Sequence, residues 1–140
     1  MRVDKETTRT GIPLLDSQHD QYFTAVESLL ELVEHGGASA RQVGEIMSHI
    51  QEYAVENFDT EEYIMDNSNY PRQAEHEAKH SAFKDRIDHF TQQLEEGVDS
   101  NELSTQLASL LVNWFVNQIK EDDMQLVAFM NKHDIRPGHR

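Results

Sequence analysis

The stretch HEAKHSAFKDRIDHFTQQL, residues 76–94, decides how the chain reads. Its members His76, His80, Phe83, Ile87, Phe90 and Leu94 follow one another at alternating steps of four and three. That spacing keeps them on one side of an α-helix, which completes a turn every 3.6 residues. A helix with an apolar stripe buries that stripe against other elements. The two histidines at its start lie on the same stripe, one turn apart, and enter the interior with it.

Three more segments show the same period. A first helix is expected over about 17–35, with Tyr22, Phe23, Val26, Leu29, Leu30 and Val33 on its apolar side and Gly36-Gly37 to end it. A second is expected over about 40–66. Ser39 and Gln42 have capping-box spacing at its start, and Val43, Ile46, Met47, Ile50, Tyr53, Ala54, Phe58, Ile64 and Met65 form its stripe. The third, over about 71–96, opens on Pro71, a residue suited to the first helical position. The fourth, over about 100–130, follows Asp99 with Glu102 at capping distance and carries Leu103, Leu107, Leu110, Leu111, Trp114, Phe115 and Ile119. Residues 1–16 read as an extended arm, because Gly11 and Pro13 oppose helix. No alternating strand pattern or internal repeat is present. Four amphipathic helices joined by short links define an all-α, antiparallel up-down four-helix bundle with an extended N-terminal arm, in a single domain spanning 1–140.

Composition narrows the function. The net charge is −14, from 26 acidic and 12 basic residues, a balance that repels a phosphate backbone and argues against nucleic-acid binding. Cysteine is absent, which excludes disulfides, thiolate chemistry, zinc ribbons and iron–sulfur clusters. The first residues contain no apolar run of signal-peptide type, and no later run reaches membrane-spanning length. A cytoplasmic protein without membrane contact is the expectation.

The informative residues are the polar ones that interrupt the stripes. In the third helix they are His76 and His80. In the second, the series Ile50, Tyr53, Asn57, Glu61, Ile64 puts an amide and a carboxylate on the core face. In the first, His19 leads into Tyr22, Phe23 and Val26; in the fourth, Leu111 and Trp114 lead to Gln118, then Asp122 and Asp123. The interruptions fall near the N-terminus, C-terminus, N-terminus and C-terminus of successive helices. An up-down bundle gathers such positions into one layer toward one end. An ionised carboxylate buried without a partner costs several kcal/mol or more, and a cation among the side chains removes that cost. Imidazole with carboxylate and no thiolate suits iron, manganese or zinc, and bridging carboxylates favour two ions over one. Taken singly, each stripe is core packing and each histidine or glutamate an ordinary residue; the coincidence on four alternating helices carries the metal reading. His76-Glu77-Ala78-Lys79-His80 also spells HExxH, in which two histidines hold zinc and the glutamate activates water. That protease reading leaves the polar residues of the other three helices unexplained.

These residues resemble the bacterial hemerythrin family. Asp16-Ser17-Gln18-His19 resembles its DxQH opening, and Asn57-Phe58-Asp59-Thr60-Glu61-Glu62 with Met65 resembles HFxxEExxM. Tyr70-Pro71, His76, His80 and Phe83 resemble YPxxxxHxxxHxxF, and Trp114 to Ile119 followed by Asp123 resembles WxxxHIxxxD. The resemblance implies a non-heme di-iron centre that binds dioxygen reversibly for storage, delivery or sensing, without being an enzyme. It implies that His76 and His80 bind one iron, that His19 binds the other, and that Glu61 and Asp123 bridge them. Two positions depart from the family: Asn57 and Gln118 stand where it has histidine. By the resemblance, Asn57 belongs with the iron of His19 and Gln118 with that of His76 and His80. Each iron then lacks one imidazole; Asn57 and Gln118 can donate a carbonyl oxygen, a weaker ligand for iron than imidazole, and water, Glu62 or Asp122 are the other replacements. Asp123 also lies five residues after Gln118, about 140° around a regular helix; Asp122 faces inward better, and Asp123 needs a local irregularity. Two alternatives stay open: a metal-depleted bundle acting as a structural or interaction module, and a peroxide-active di-iron enzyme.

Overall fold

The computed structural model of the chain describes residues 9–115, 117 and 119–135. Helix α1 (Pro13–Glu34), α2 (Ala40–Asp66), α3 (Gln73–Glu95) and α4 (Ser100–Leu110) follow in order. The fourth limb then continues through two π-helical turns, Leu111–Phe115 and Ile119–Asp123, into α5 (Met124–Lys132). There is no strand among the described residues.

The up-down topology shows in how each limb crosses two apolar clusters. The larger cluster contains Tyr22, Phe23, Val26 and Leu29 of α1, Met47, Ile50, Ala54 and Phe58 of α2, Phe83, Ile87 and Phe90 of α3, and Leu103, Leu107 and Leu111 of the fourth limb. The smaller contains Ile12, Leu15, Ile64, Met65, Tyr70, Leu126, Val127 and Met130. Read along the chain, α1 passes from the smaller cluster to the larger, α2 returns, α3 repeats the first direction and the fourth limb the second. Among the described residues, His19, Glu61, His76, His80 and Asp123 fall between the two clusters. Their layer lies toward one end of the bundle, as expected, and is covered by apolar side chains on both sides.

Local chemistry explains the boundaries. The Ser39 hydroxyl accepts from the Gln42 amide at 3.2 Å while the Gln42 side chain accepts from the Ser39 amide at 2.9 Å, which closes the capping box at the start of α2. At the end of α1, Gly36 and Gly37 have φ of 108° and 110°, a region open to glycine, and the Gly37 amide donates back to Leu32 O at 2.8 Å.

Three expected boundaries shift. The arm is shorter than 1–16, because α1 begins at Pro13 rather than near residue 17. A proline at the first helical position has no amide to leave unpaired. The Asp16 carboxylate, in the first turn, accepts from the Thr10 amide and hydroxyl, each at 2.8 Å, and so ties down the entering chain. Residues 1–8 lie outside the described part. Helix α3 begins at Gln73 rather than Pro71: residues 70–73 form a turn in which the Gln73 amide donates to Tyr70 O at 3.2 Å, and the Tyr70 ring is buried. The fourth helix is not one regular segment over 100–130, for a reason the centre supplies.

Two substitutions separate the cap from the core. Ser39→Ala should cost about 1 kcal/mol, and Leu29→Ala, at a fully buried position, about 2–5 kcal/mol. Urea unfolding followed by circular dichroism reads both, and equal effects would contradict the assignment of Ser39 to a surface cap.

Candidate metal centre

Four helical limbs deliver side chains to one buried layer. His19, on α1, is 2 % exposed, Glu61 on α2 is 0 %, His76 and His80 on α3 are 2 % and 1 %, and Asp123 at the end of the second π turn is 2 %. Ligand atoms of Glu61, His76, His80 and Asp123 all lie within 4.8 Å of one another, close enough to surround an ion.

The two carboxylates are oriented alike. Glu61 Oε1 lies 2.9 Å from His76 Nε2 and 3.1 Å from His80 Nε2, whereas Glu61 Oε2 faces His19 Nε2 at 3.9 Å. Asp123 Oδ1 lies 3.1 Å from His76 Nε2, and Asp123 Oδ2 lies 3.2 Å from His19 Nε2. Each carboxylate thus turns one oxygen to the α3 histidines and the other to His19. Two acids each spanning two sets of imidazoles is the arrangement that bridging between two cations requires.

Asp123 reaches this layer because the limb is irregular. A π turn takes more residues per revolution than an α turn, since its hydrogen bonds run to the fifth residue. Five residues then come close to a full revolution, and Asp123 swings inward with Asp122 beside it. Gln118, the other unusual position of this limb, lies outside the described residues. At Leu111, where the first π turn begins, the carbonyl accepts from the buried Tyr22 hydroxyl at 3.2 Å. Burial holds that hydroxyl well above its ordinary pKa, so it stays a donor.

Neighbouring side chains fix the ligand rings. His80 Nδ1 is 2.9 Å from Glu62 Oε2, and the Phe58 ring stacks on the His80 ring with centroids 3.8 Å apart. Lys79 Nζ donates to both oxygens of Asp122, at 3.0 and 2.8 Å. Glu62 and Asp122, which the sequence left as substitute ligands, therefore face a histidine ring and a lysine. Asn57 is buried, and its Nδ2 donates to Gln18 Oε1 at 3.1 Å. Glu77, the central acid of the HExxH string, accepts from Gln73 Nε2 at 3.2 Å, and the acids clustered with His76 and His80 are instead Glu61 and Asp123, from two other limbs. Sequence periodicity did not find the parts played by Gln18, Phe58 or Lys79; only the adjacency of Gln18 to His19 in the chain pointed toward the first.

The donor set fits metal ions on its own chemistry. Glu62 accepts from His80 Nδ1, so a neutral His80 presents the lone pair of Nε2 to the lone pairs of Glu61 Oε1. Only a proton or a cation between them makes that contact attractive. Glu61 Oε2 and His76 Nδ1 are buried without a hydrogen-bond partner among the described residues. The metal-free layer takes protons instead. Burial, the largest influence, pulls the His19 and His76 pKa values down, but the carboxylates of Asp123 and Glu61 outweigh it and raise them to about 9 and about 10. Burial likewise opposes ionisation of Glu61, yet contacts with His19, His76 and His80 hold it well below its ordinary value. Asp123 is raised, first by burial and then by the charge of Glu61.

A helical bundle with a buried layer of imidazoles and shared carboxylates is a cation-binding protein by construction. The Hemerythrin HHE cation binding domain family matches residues 10–130, and the chain belongs to that family. A bacteriohemerythrin of Stenotrophomonas maltophilia is 27% identical over 131 residues, covering 94% of this chain and 82% of its own. One of Pseudomonas aeruginosa is 25% identical over 121 residues, covering 86% and 76%. A crystal structure of a leucine-to-phenylalanine mutant superposes with a TM-score of 0.74 at 22% identity, over 91% of this chain and 95% of that one, a likeness of fold.

Two outcomes are expected. A histidine whose folded pKa is raised contributes stability that is complete below its unfolded value near 6.5 and lost as pH rises through the folded value. With His19 and His76 near 9 and 10, metal-free protein should lose stability steadily between pH 7 and 10 in denaturant titrations; a flat profile would count against the imidazolium–carboxylate contacts. Glu62→Ala should weaken metal binding about 10–100-fold, with helix content unchanged by circular dichroism.

Proposed function

We propose that the chain is a hemerythrin-type protein whose two non-heme iron ions bind dioxygen reversibly, for storage, delivery or sensing, in the cytoplasm. The observation that carries the reading is the shared orientation of Glu61 and Asp123, each with one oxygen toward His76 and the other toward His19. His76 and His80 would hold one ion, His19 the other, and the two acids would bridge them. Two ferrous ions held in this way would supply the electrons that reversible dioxygen binding draws on.

The chain's own residues account for the remaining requirements. Phe58, Phe83 and Tyr22 on one side, and Leu15, Met65 and Leu126 on the other, keep water from the layer. Glu62 and Phe58 fix the tautomer and plane of His80, and Lys79 keeps Asp122 paired outside the donor set. Among the described residues no helix is long and apolar enough to cross a membrane. The strongly acidic surface favours a small neutral ligand over nucleic acid.

Protein produced with ample iron should carry two irons per chain. After reduction, admitting oxygen should produce a visible absorption that disappears when oxygen is removed. Two irons with no reversible absorption would sink the oxygen-binding function. Less than one metal per chain would favour a bundle that serves as a structural or interaction module, and turnover of added peroxide would favour an enzyme.

A further inference from the structure

The amide of Asn57 has a determined orientation. The Thr60 hydroxyl donates its single proton to Glu56 O at 2.9 Å, so toward Gln18 Nε2, at 3.0 Å, it can only accept. With its amino group committed there, Gln18 turns Oε1 to Asn57 Nδ2 at 3.1 Å. The relay leaves the Asn57 carbonyl as the other arm. Asn57 is 2 % exposed, and its Oδ1 has no hydrogen-bond partner among the described residues. A buried acceptor left unsatisfied is destabilising, a penalty that a leucine at this position would not incur. Asn57 stands one turn before Glu61 on the buried face of α2, and Gln18 directly precedes His19, so the relay lies on the His19 side of the layer.

We propose that Asn57 Oδ1 is a preset oxygen donor to the cation beside His19, and that this position prefers a harder divalent ion than the position held by His76 and His80. The inference rests on the two-ion reading above and adds to it a chemical difference between the two ions. Among the described residues the His19 side offers one imidazole nitrogen with oxygens of Glu61, Asp123 and Asn57. The other side offers two imidazole nitrogens with oxygens of the same two acids. Carbonyl and carboxylate oxygens suit manganese and similar hard ions, whereas imidazoles favour iron and zinc. An oriented amide at this position therefore sets which ion the His19 side holds. Gln18 acts here as a positioning residue.

The test titrates Mn2+ and Zn2+ separately into metal-free protein by calorimetry, with electron paramagnetic resonance of Mn2+ as a second readout. Wild type, N57H, N57L and Q18L are compared, each checked for folding by circular dichroism. Two binding steps are expected in the wild type. N57L should weaken the second step at least about tenfold, and N57H should shift that step toward Zn2+ over Mn2+ by a similar factor, both leaving the first step unchanged. Q18L, which keeps the carbonyl but releases its orientation, should lower the Mn2+ to Zn2+ affinity ratio of the second step, a change that mere destabilisation would not produce. Should N57L fail to fold, N57H and Q18L decide the matter. Two steps unaltered in affinity and metal preference by any of these changes would overturn the role of Asn57 while leaving the two-ion reading standing. A second step present only in N57H would overturn it as well. No binding in any variant would overturn the two-ion reading and this inference together.

Discussion

Two carboxylates with almost no contact with water, Glu61 and Asp123, set the terms for the rest of the molecule. Adjacent acids in a low-dielectric interior repel each other and lose their hydration, and either effect alone costs several kcal/mol. Three imidazoles converge on them from two other helices, and apolar clusters close the layer above and below. Those clusters play two parts. They supply the burial that holds the bundle together, and by excluding water they make the charges in the layer depend on one another. The same exclusion that stabilises the fold makes a cation in the layer so favourable.

The fourth limb shows the structural cost of this arrangement. A regular α-helix from residue 100 onward would aim Asp122, not Asp123, into the layer. The chain instead departs from α geometry twice, at Leu111–Phe115 and Ile119–Asp123, and accepts a less regular hydrogen-bond ladder. Tyr22 donates to the Leu111 carbonyl at the first departure, and Lys79 holds the displaced Asp122 at the second. Departures of this kind persist where surrounding contacts determine them, and here those contacts come from α1 and α3.

Much of this was legible before any coordinates. The apolar period pointed to four helical limbs, and the alternating placement of His19, Glu61, His76 and His80 implied a single polar layer, because both depend on local spacing; on the fourth limb regular spacing favoured Asp122, and only the family resemblance pointed to Asp123. What depends on chain-distant hydrogen bonds was not legible. Nothing in a spacing says that Gln18 would reach Asn57 and Thr60 across the α1–α2 interface, or that Lys79 would take Asp122 out of the donor set. Pro13 was read as a helix breaker when it is a helix starter; the same residue serves either way, and the deciding factor was the Asp16 carboxylate that binds the incoming backbone. The layer lies toward one end of the bundle, as the spacing implied, but what closes that end was not legible. Its outer cover is assembled from Ile12, Leu15, Tyr70 and the α5 residues, which lie far apart in sequence and share no single stripe.

A plain network of buried ion pairs would be the simplest alternative account of the layer, and energetics argue against it. Well-packed apolar residues of similar volume usually stabilise an interior as much as a buried ion pair or more, and this bundle already has such residues on both sides. An ion-pair network selected for stability would also leave its groups mutually satisfied. Here Glu61 Oε2, His76 Nδ1 and Asn57 Oδ1 have no hydrogen-bond partner among the described residues, and the Nε2 atoms of His76 and His80 crowd one oxygen of Glu61. Groups that converge without satisfying one another are arranged around something else. Nitrogen and carboxylate donors, with none from sulfur, form a set that could hold a metal ion.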